Sequence, residues 1–351
     1  MRIAILGTKG IPNNYGGFEQ FAEYLSTGLV NRGHFVTVYN PDFHPYSENN
    51  YRGVRIVRIF SPENYIGSAA NFIYDHLCLK HALEQDFDII YEAGYHSVAL
   101  SIWGLGIRKR KSPVLLTNMD GLEWKRTKWN YFVKQLIKGL EKIAVNHSHH
   151  LVSDNIGIQE YYKRVFSKDS FYIPYGADVP AYFDEQRLSK YLLQKSGYFI
   201  AVARLEPENN LEPIINGFCQ SSSSKKLVIV GNLNRYGKFL QEKYKDQRIL
   251  FTGGIYDKAD LDAVRHFSVG YFHGHSVGGT NPSLLEAMAC SCYIMAHQNP
   301  FNKSVLQESA DYFNEPADIT KWVDSIESND RLVKSAYIEA NKTRIQRYFN
   351  W

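Results

Sequence analysis

Short apolar, β-rich runs alternate with longer amphipathic stretches along the entire chain. In the first half this alternation predicts strands over Arg2–Gly7, Phe35–Tyr39, Val54–Ile59, Asp88–Tyr91, Val114–Thr117, His150–Val152 and Phe171–Ile173. Helices are predicted between them near Phe18–Asn31, Ser68–Glu84, Trp129–Ala144 and Ile156–Val165. The second half repeats the rhythm, with strands over Tyr198–Ala201, Lys226–Val230, Ile249–Thr252, Gly270–Phe272 and Cys292–Met295. Such alternation implies parallel sheets covered by helices on both faces. The expected fold class is therefore α/β: two Rossmann-like, doubly wound parallel-sheet domains facing a central cleft, with ligands at the carboxyl ends of strands. The boundary falls in the Pro/Gly-bearing stretch Ile173–Asp178, giving domains 1–175 and 176–335. Residues 336–351 are expected to form a helix crossing back to the first domain.

Composition narrows the classes. The 351 residues are 44% hydrophobic and 22% charged without a low-complexity tract, which suits two globular domains. No apolar run approaches the roughly 18–20 residues of a membrane span, and the opening residues read as a buried strand rather than a signal peptide. Cys78, Cys219, Cys290 and Cys292 show no framework spacing, so a reduced, cytoplasmic protein is expected. Within 105–142 there are 10 basic and 3 acidic residues. The predicted helix there puts Trp129, Phe132, Val133, Leu136, Leu140 and Ile143 on a core-facing side and Lys134, Lys138 and Lys142 on the other. With Arg108 to Lys111 upstream, it suggests docking on an anionic membrane surface. Nucleic acid is not an expected partner, since zinc-finger spacing, RNP motif and helix-turn-helix pattern are all absent. His147, His149 and His150 lack further ligands at useful spacing, and no Asp-x-Asp stands at a strand end. No metal is therefore expected.

Two glycine-bearing loops stand where this fold places its ligands. The first follows the opening strand, with Gly7, Gly10 and Pro12, then Gly16 and Gly17 directly before a helix. Bare N–H groups at a helix N-terminus attract anions, and glycine lets a ligand approach the main chain. The spacing is not G-x-G-x-x-G, so the dinucleotide fingerprint is absent; a turn serving backbone geometry alone is the alternative. The second loop holds Gly274, Gly278, Gly279, Thr280 and Asn281, and either Thr280 or Asn281 can cap a helix beginning near Pro282. One turn inside stands Glu286, placed to accept ribose hydroxyl bonds while phosphates sit on the helix N-terminus. The sequence offers it no structural partner, so its removal is expected to leave the unliganded protein's stability nearly unchanged. Arg204 follows a strand and can chelate phosphate oxygens; an inter-domain salt bridge is its alternative.

Four segments carry a family likeness: Gly7 to Glu19 with Tyr15-Gly16-Gly17, Met119 to Trp129 with Asp120 and Glu123, Arg204 to Asn210, and Gly274 to Pro282. Through them the whole chain resembles the retaining glycosyltransferases of family 4, which have the GT-B fold. More narrowly it resembles their bacterial rhamnosyltransferase branch in capsule and cell-wall polysaccharide assembly. The resemblance implies an acceptor-side domain in 1–175 and a nucleotide-sugar donor domain in 176–335. It places Gly16, Gly17, Arg204, Gly278, Gly279, Thr280 and Asn281 at the donor and Glu286 at its ribose, with Tyr15 and His96 on the acceptor side. Two departures stand out. The wider family has a lysine where Asn209 stands and a glutamate at Gly278. That glutamate touches the transferred sugar, and its loss is consistent with a deoxysugar such as rhamnose.

Sugar transfer requires a group to receive the acceptor hydroxyl's proton. Asp120, at a strand end, and Glu123 close behind are the catalytic candidates; in a retaining enzyme the leaving phosphate oxygen can serve instead, and Asp-Gly is also an ordinary turn. The expected activity is metal-independent transfer from a nucleotide sugar to a saccharide or lipid-linked saccharide, by a cytoplasmic protein peripheral on the inner face of the membrane. A nucleotide-sugar epimerase and a catalytically silent nucleotide-sugar-binding protein are the alternatives.

Overall fold

The computed structural model describes residues 1–14, 16–126, 129–326 and 331–351. The chain divides into two units, Met1–Pro174 with Trp351, and Tyr175–Asn350.

In the first unit β1 (Arg2–Leu6), β2 (Phe35–Pro41), β3 (Asn50–Tyr51), β4 (Val54–Ile59), β5 (Ile89–Glu92), β6 (Val114–Asn118), β7 (His150–Ser153) and β8 (Ser170–Tyr172) form one sheet. Its order is β3-β4-β2-β1-β5-β6-β7-β8, parallel except for the β3–β4 pair. Ile3 to Leu6 are all buried, as a strand covered on both faces requires. Ala4, Leu6, Tyr74, Cys78, Ile90, Ile102 and Leu115 pack as one core. The sheet winds outward in both directions from β1, so the switch point lies between β1 and β5.

In the second unit β9 (Tyr198–Val202), β10 (Lys226–Val230), β11 (Ile249–Gly253), β12 (Gly270–His273), β13 (Ile294–His297) and β14 (Asp311–Phe313) pair in parallel as β11-β10-β9-β12-β13-β14. Phe199, Phe218, Phe272 and Trp322 anchor its core. Here the switch point falls between β9 and β12. Strands β3 and β14, two and three residues long, are too short to show a periodicity.

One helix faces differently from its expected pattern. Tyr131–His147 buries Ile137, Leu140, Glu141, Ala144 and Val145, while Phe132 is 82% and Leu136 61% exposed. The reason is Glu141, which accepts hydrogen bonds from the hydroxyls of Tyr162 at 2.7 Å and Tyr161 at 3.2 Å. A carboxylate so satisfied can face inward, and the helix turns Phe132 and Leu136 to solvent. Among the described residues no helix is long and apolar enough to cross a membrane.

Candidate active site

In the second unit the carboxyl ends of β9 and β12 carry two loops stitched to each other. Ser276 donates to the Glu208 carbonyl from both its amide (3.1 Å) and its hydroxyl (2.8 Å), and Asn210 Nδ2 donates to the Gly274 carbonyl at 2.7 Å. Asn209 is buried, and its Nδ2 donates to the Arg204 carbonyl at 2.8 Å. The position where the wider family carries a cation is thus a backbone brace. Gly274 has no room for a side chain, since a Cβ would lie 2.1 Å from the Asn209 carbonyl oxygen. Arg204 itself is exposed, and among the described residues its guanidinium makes no ion pair.

Asn281 is the residue that caps the Pro282–Ala289 helix, accepting the Ser283 amide at 2.9 Å, with Pro282 in the first turn. Gly278 has φ +121°, a conformation reserved for glycine, with open space where a Cβ would stand. Gly279 is half-buried beside it, and Thr280 is buried. Glu286 departs from expectation. Its Oε2 lies 2.6 Å from Nη2 of Arg265, a residue 2% exposed, so it has the structural partner that the sequence did not reveal. Burial works against the Arg265 charge, but its neighbours, Glu286 foremost, then Tyr271, Cys290 and Asp262, more than offset it, and the guanidinium pKa is raised.

In the first unit the glycine loop is held from below. Asn40 accepts the Ile11 amide at 3.1 Å and donates to its carbonyl at 2.8 Å, and a Cβ on Gly10 would strike this side chain. Gly16 is the N-cap of the Gly17–Asn31 helix. Glu19, in its first turn, accepts the Lys9 amide at 2.7 Å, so a carboxylate of the chain already answers part of this helix's positive end. Tyr15 lies outside the described residues.

Asp120 follows β6, half-buried, with φ +42° and its amide bonded to Asn118 Oδ1 at 3.1 Å. Burial raises its pKa; the Gly121 amide, Arg126 and His96 oppose the shift, and Glu123 adds to it. His96 and Asp120 are thus brought together. Glu123, the other catalytic candidate, is buried; its Oε1 accepts the Trp129 indole at 3.1 Å, and its Oε2 pairs with Arg126 at 2.5 Å. So occupied, it anchors the Asp120 loop.

Sequence reasoning missed two buried acids here. Glu92 ends β5, and both its carboxyl oxygens lack a hydrogen-bond partner among the described residues. A Cβ on Gly7 would lie 2.1 Å from its Oε1. Burial, then nearby Asp75, pushes its pKa well up. Asp75 is buried too and accepts the Ser97 hydroxyl. The only sequence cue was an acid closing an otherwise apolar strand.

Residues 1–178 match the family model described as "Domain of unknown function (DUF1972)", and residues 183–342 match "Glycosyl transferases group 1". The chain belongs to the group 1 glycosyltransferases, with a DUF1972 domain at its N-terminal end. Among solved structures the transferase is similar to sucrose-phosphate synthase from Thermosynechococcus elongatus, with 15% identity and a TM-score of 0.78 over 100% of this chain and 95% of that one. Anabaena HepE, solved in complex with UDP, gives 15% and 0.73 over 100% and 96%. WaaG, a glycosyltransferase involved in lipopolysaccharide biosynthesis, gives 10% and 0.71 over 99% and 95%. At these identities the likeness shows the GT-B fold alone. No curated protein matches the transferase. Among the described residues, no group of three His, Cys, Asp or Glu side chains in this transferase could hold a metal ion.

Proposed function

We propose that the protein transfers a deoxyhexose of the rhamnose class from a nucleoside diphosphate to a saccharide or lipid-linked saccharide in bacterial surface polysaccharide synthesis, with retention and without a divalent metal. The observation that carries the donor reading is Arg204, exposed and without an ion pair among the described residues, on a loop tied to the one that leads into the helix capped by Asn281. A guanidinium and a helix N-terminus together suit a diphosphate. Gly278 and Gly279 give that loop its close approach, and Glu286 one turn in holds the ribose. HepE, of the same fold, was solved with UDP and with UDP-glucose. Gly278, in place of the wider family's glutamate, removes one polar contact to the sugar, which favours a deoxysugar. On the acceptor side Asp120 and His96 engage the reacting hydroxyl, while Gly16 and Gly17 face the donor diphosphate. Asp120 orients that hydroxyl while the leaving phosphate oxygen or the carboxylate itself takes the proton.

A membrane-facing role for 105–142 rests on the Tyr131–His147 helix. Its exposed Tyr131, Phe132 and Leu136 run beside exposed Lys138 and Lys142, an apolar and cationic face suited to anionic lipid. This face would keep the protein on the cytoplasmic surface of the membrane, where a lipid-linked acceptor lies. A thermal-shift and transfer screen of nucleotide sugars tests the donor reading. The true donor at 100 times its Kd should stabilise the fold by roughly 2.7 kcal/mol, and a preference for UDP-glucose over every 6-deoxy donor would overturn the deoxyhexose assignment.

A further inference from the structure

We infer that Arg265 is a positioning residue for the donor: it fixes the Glu286 carboxylate against the ribose and so sets the preference for a nucleoside diphosphate that keeps its ribose hydroxyl. The inference rests on the reading above that Glu286 holds the ribose.

Arg265 lies on the Lys258–His266 helix and is 2% exposed. A guanidinium buried this deeply requires an acid within reach. Asp262 Oδ1 is 3.5 Å from Nη1, and its other oxygen takes Lys258 Nζ at 2.5 Å. Glu286 Oε2, at 2.6 Å from Nη2, is the nearer acid. The salt bridge is sealed on the arginine side, whereas the Glu286 side chain keeps 21% of its surface open. A ligand can therefore meet the glutamate, while the arginine acts only from behind it.

The same Nη2 reaches the Ser283 hydroxyl at 3.3 Å. That hydroxyl also meets the Tyr271 hydroxyl at 2.8 Å and the Val202 carbonyl, at the end of β9, at 3.3 Å. One buried nitrogen thus joins the first turn of the donor helix, the acid one turn in and the strand end that leads to Arg204. An unbraced glutamate on a helix samples several rotamers, and a hydrogen bond to a wandering acceptor discriminates poorly. The planar fork of arginine supplies the brace, and lysine lacks its geometry.

The experiment measures dissociation constants by calorimetry for uridine diphosphate, thymidine diphosphate, the 3′-deoxy counterpart of each, and inorganic diphosphate. The proteins are the parent, Arg265→Met, Arg265→Lys and Glu286→Ala. The parent should favour the hydroxylated form of its preferred nucleotide by about tenfold, as expected for a bond to a charged acceptor. Arg265→Met should collapse that preference to about twofold or less while inorganic diphosphate binds as before. Arg265→Lys should keep an intermediate preference, and it carries the test if the methionine variant does not fold; a lysine variant with the parent's full preference then overturns the inference. Full preference in folded Arg265→Met with its loss in Glu286→Ala overturns the inference and leaves the ribose reading standing. Full preference in Glu286→Ala, or a parent that binds none of the nucleotides, overturns both. A uniform loss across every ligand, inorganic diphosphate included, makes Arg265 a purely structural residue.

Discussion

Asp75 and Glu92 sit at the carboxyl edge of the first sheet in surroundings that suppress their charge. Burial lifts the Asp75 pKa to about 6 against the opposing Ser97, His96 and Lys9. The folded value exceeds the unfolded 3.8, so the native state holds the extra proton between the two. The stability this gives is fully present below about pH 3.8 and is lost as pH rises through about 6, roughly 3 kcal/mol in all. Asp75→Asn cannot titrate, so in denaturant melts its stability relative to the parent should rise by about that much between pH 4 and pH 7. A pH-independent difference would mean that the carboxyl is solvated. Asp120→Asn suits its left-handed backbone, which asparagine tolerates, and should lower turnover roughly 10²–10⁴-fold if the charge acts on the acceptor. A loss under fivefold makes it a turn residue. Glu286→Ala should now destabilise the unliganded protein by about 3 kcal/mol, because it strands the buried Arg265; an unchanged Tm would mean that Asp262 suffices. None of these pairings was legible in the sequence, since Glu92 meets Gly7, and Arg265 meets Glu286, only after the sheets have formed.

At the scale of elements the strands were readable, because runs such as Leu227 to Val230 are apolar throughout and buried on both faces. Their ends shifted by a residue or two where polar Asn118 and Ser153 extend β6 and β7. The face of the Tyr131–His147 helix was not readable. Periodicity counts Glu141 as outward, and only the fold brings Tyr161 and Tyr162 to it. Replacing Glu141 by alanine should therefore cost about 1–3 kcal/mol for each stranded hydroxyl. Replacing Phe132 and Leu136 by serine and Lys138 and Lys142 by glutamine should leave Tm within a degree or two and weaken sedimentation with anionic vesicles. Binding equal to the parent's would remove the membrane role. Arg108 is a poor choice for that test, because it donates to the Ser148 and His149 carbonyls at 3.1 and 3.3 Å. In the candidate site the glycine loops and the cap were legible from residue type, whereas the brace role of Asn209 required its contact with the Arg204 carbonyl.

For the whole molecule, the duplicated βαβα rhythm carried the two-sheet architecture, because each parallel pair demands a crossover helix and so a long repeat. Both sheets place their switch points beside the loops singled out by composition, β1/β5 next to Gly7 and β9/β12 next to Gly274. On the donor reading proposed above, the charge of the diphosphate is met by Arg204, a helix end and main-chain amides. Transfer activity should accordingly survive excess chelator within about twofold; abolition by chelator with recovery on adding magnesium or manganese would require a metal-bridged diphosphate.

Gly278 bears on how such enzymes diverge. An L-residue at φ +121° carries backbone strain of about 1–3 kcal/mol. A carboxylate hydrogen bond to a sugar hydroxyl contributes about 1.5–3 kcal/mol. The two nearly cancel, so the single step Gly278→Glu confers little advantage, although the space for a side chain is open. An acid at this position comes without that strain only where the main chain has turned to an ordinary φ. If Gly278 faces the transferred sugar as proposed, donor choice is written first in the backbone and only afterwards in the side chains.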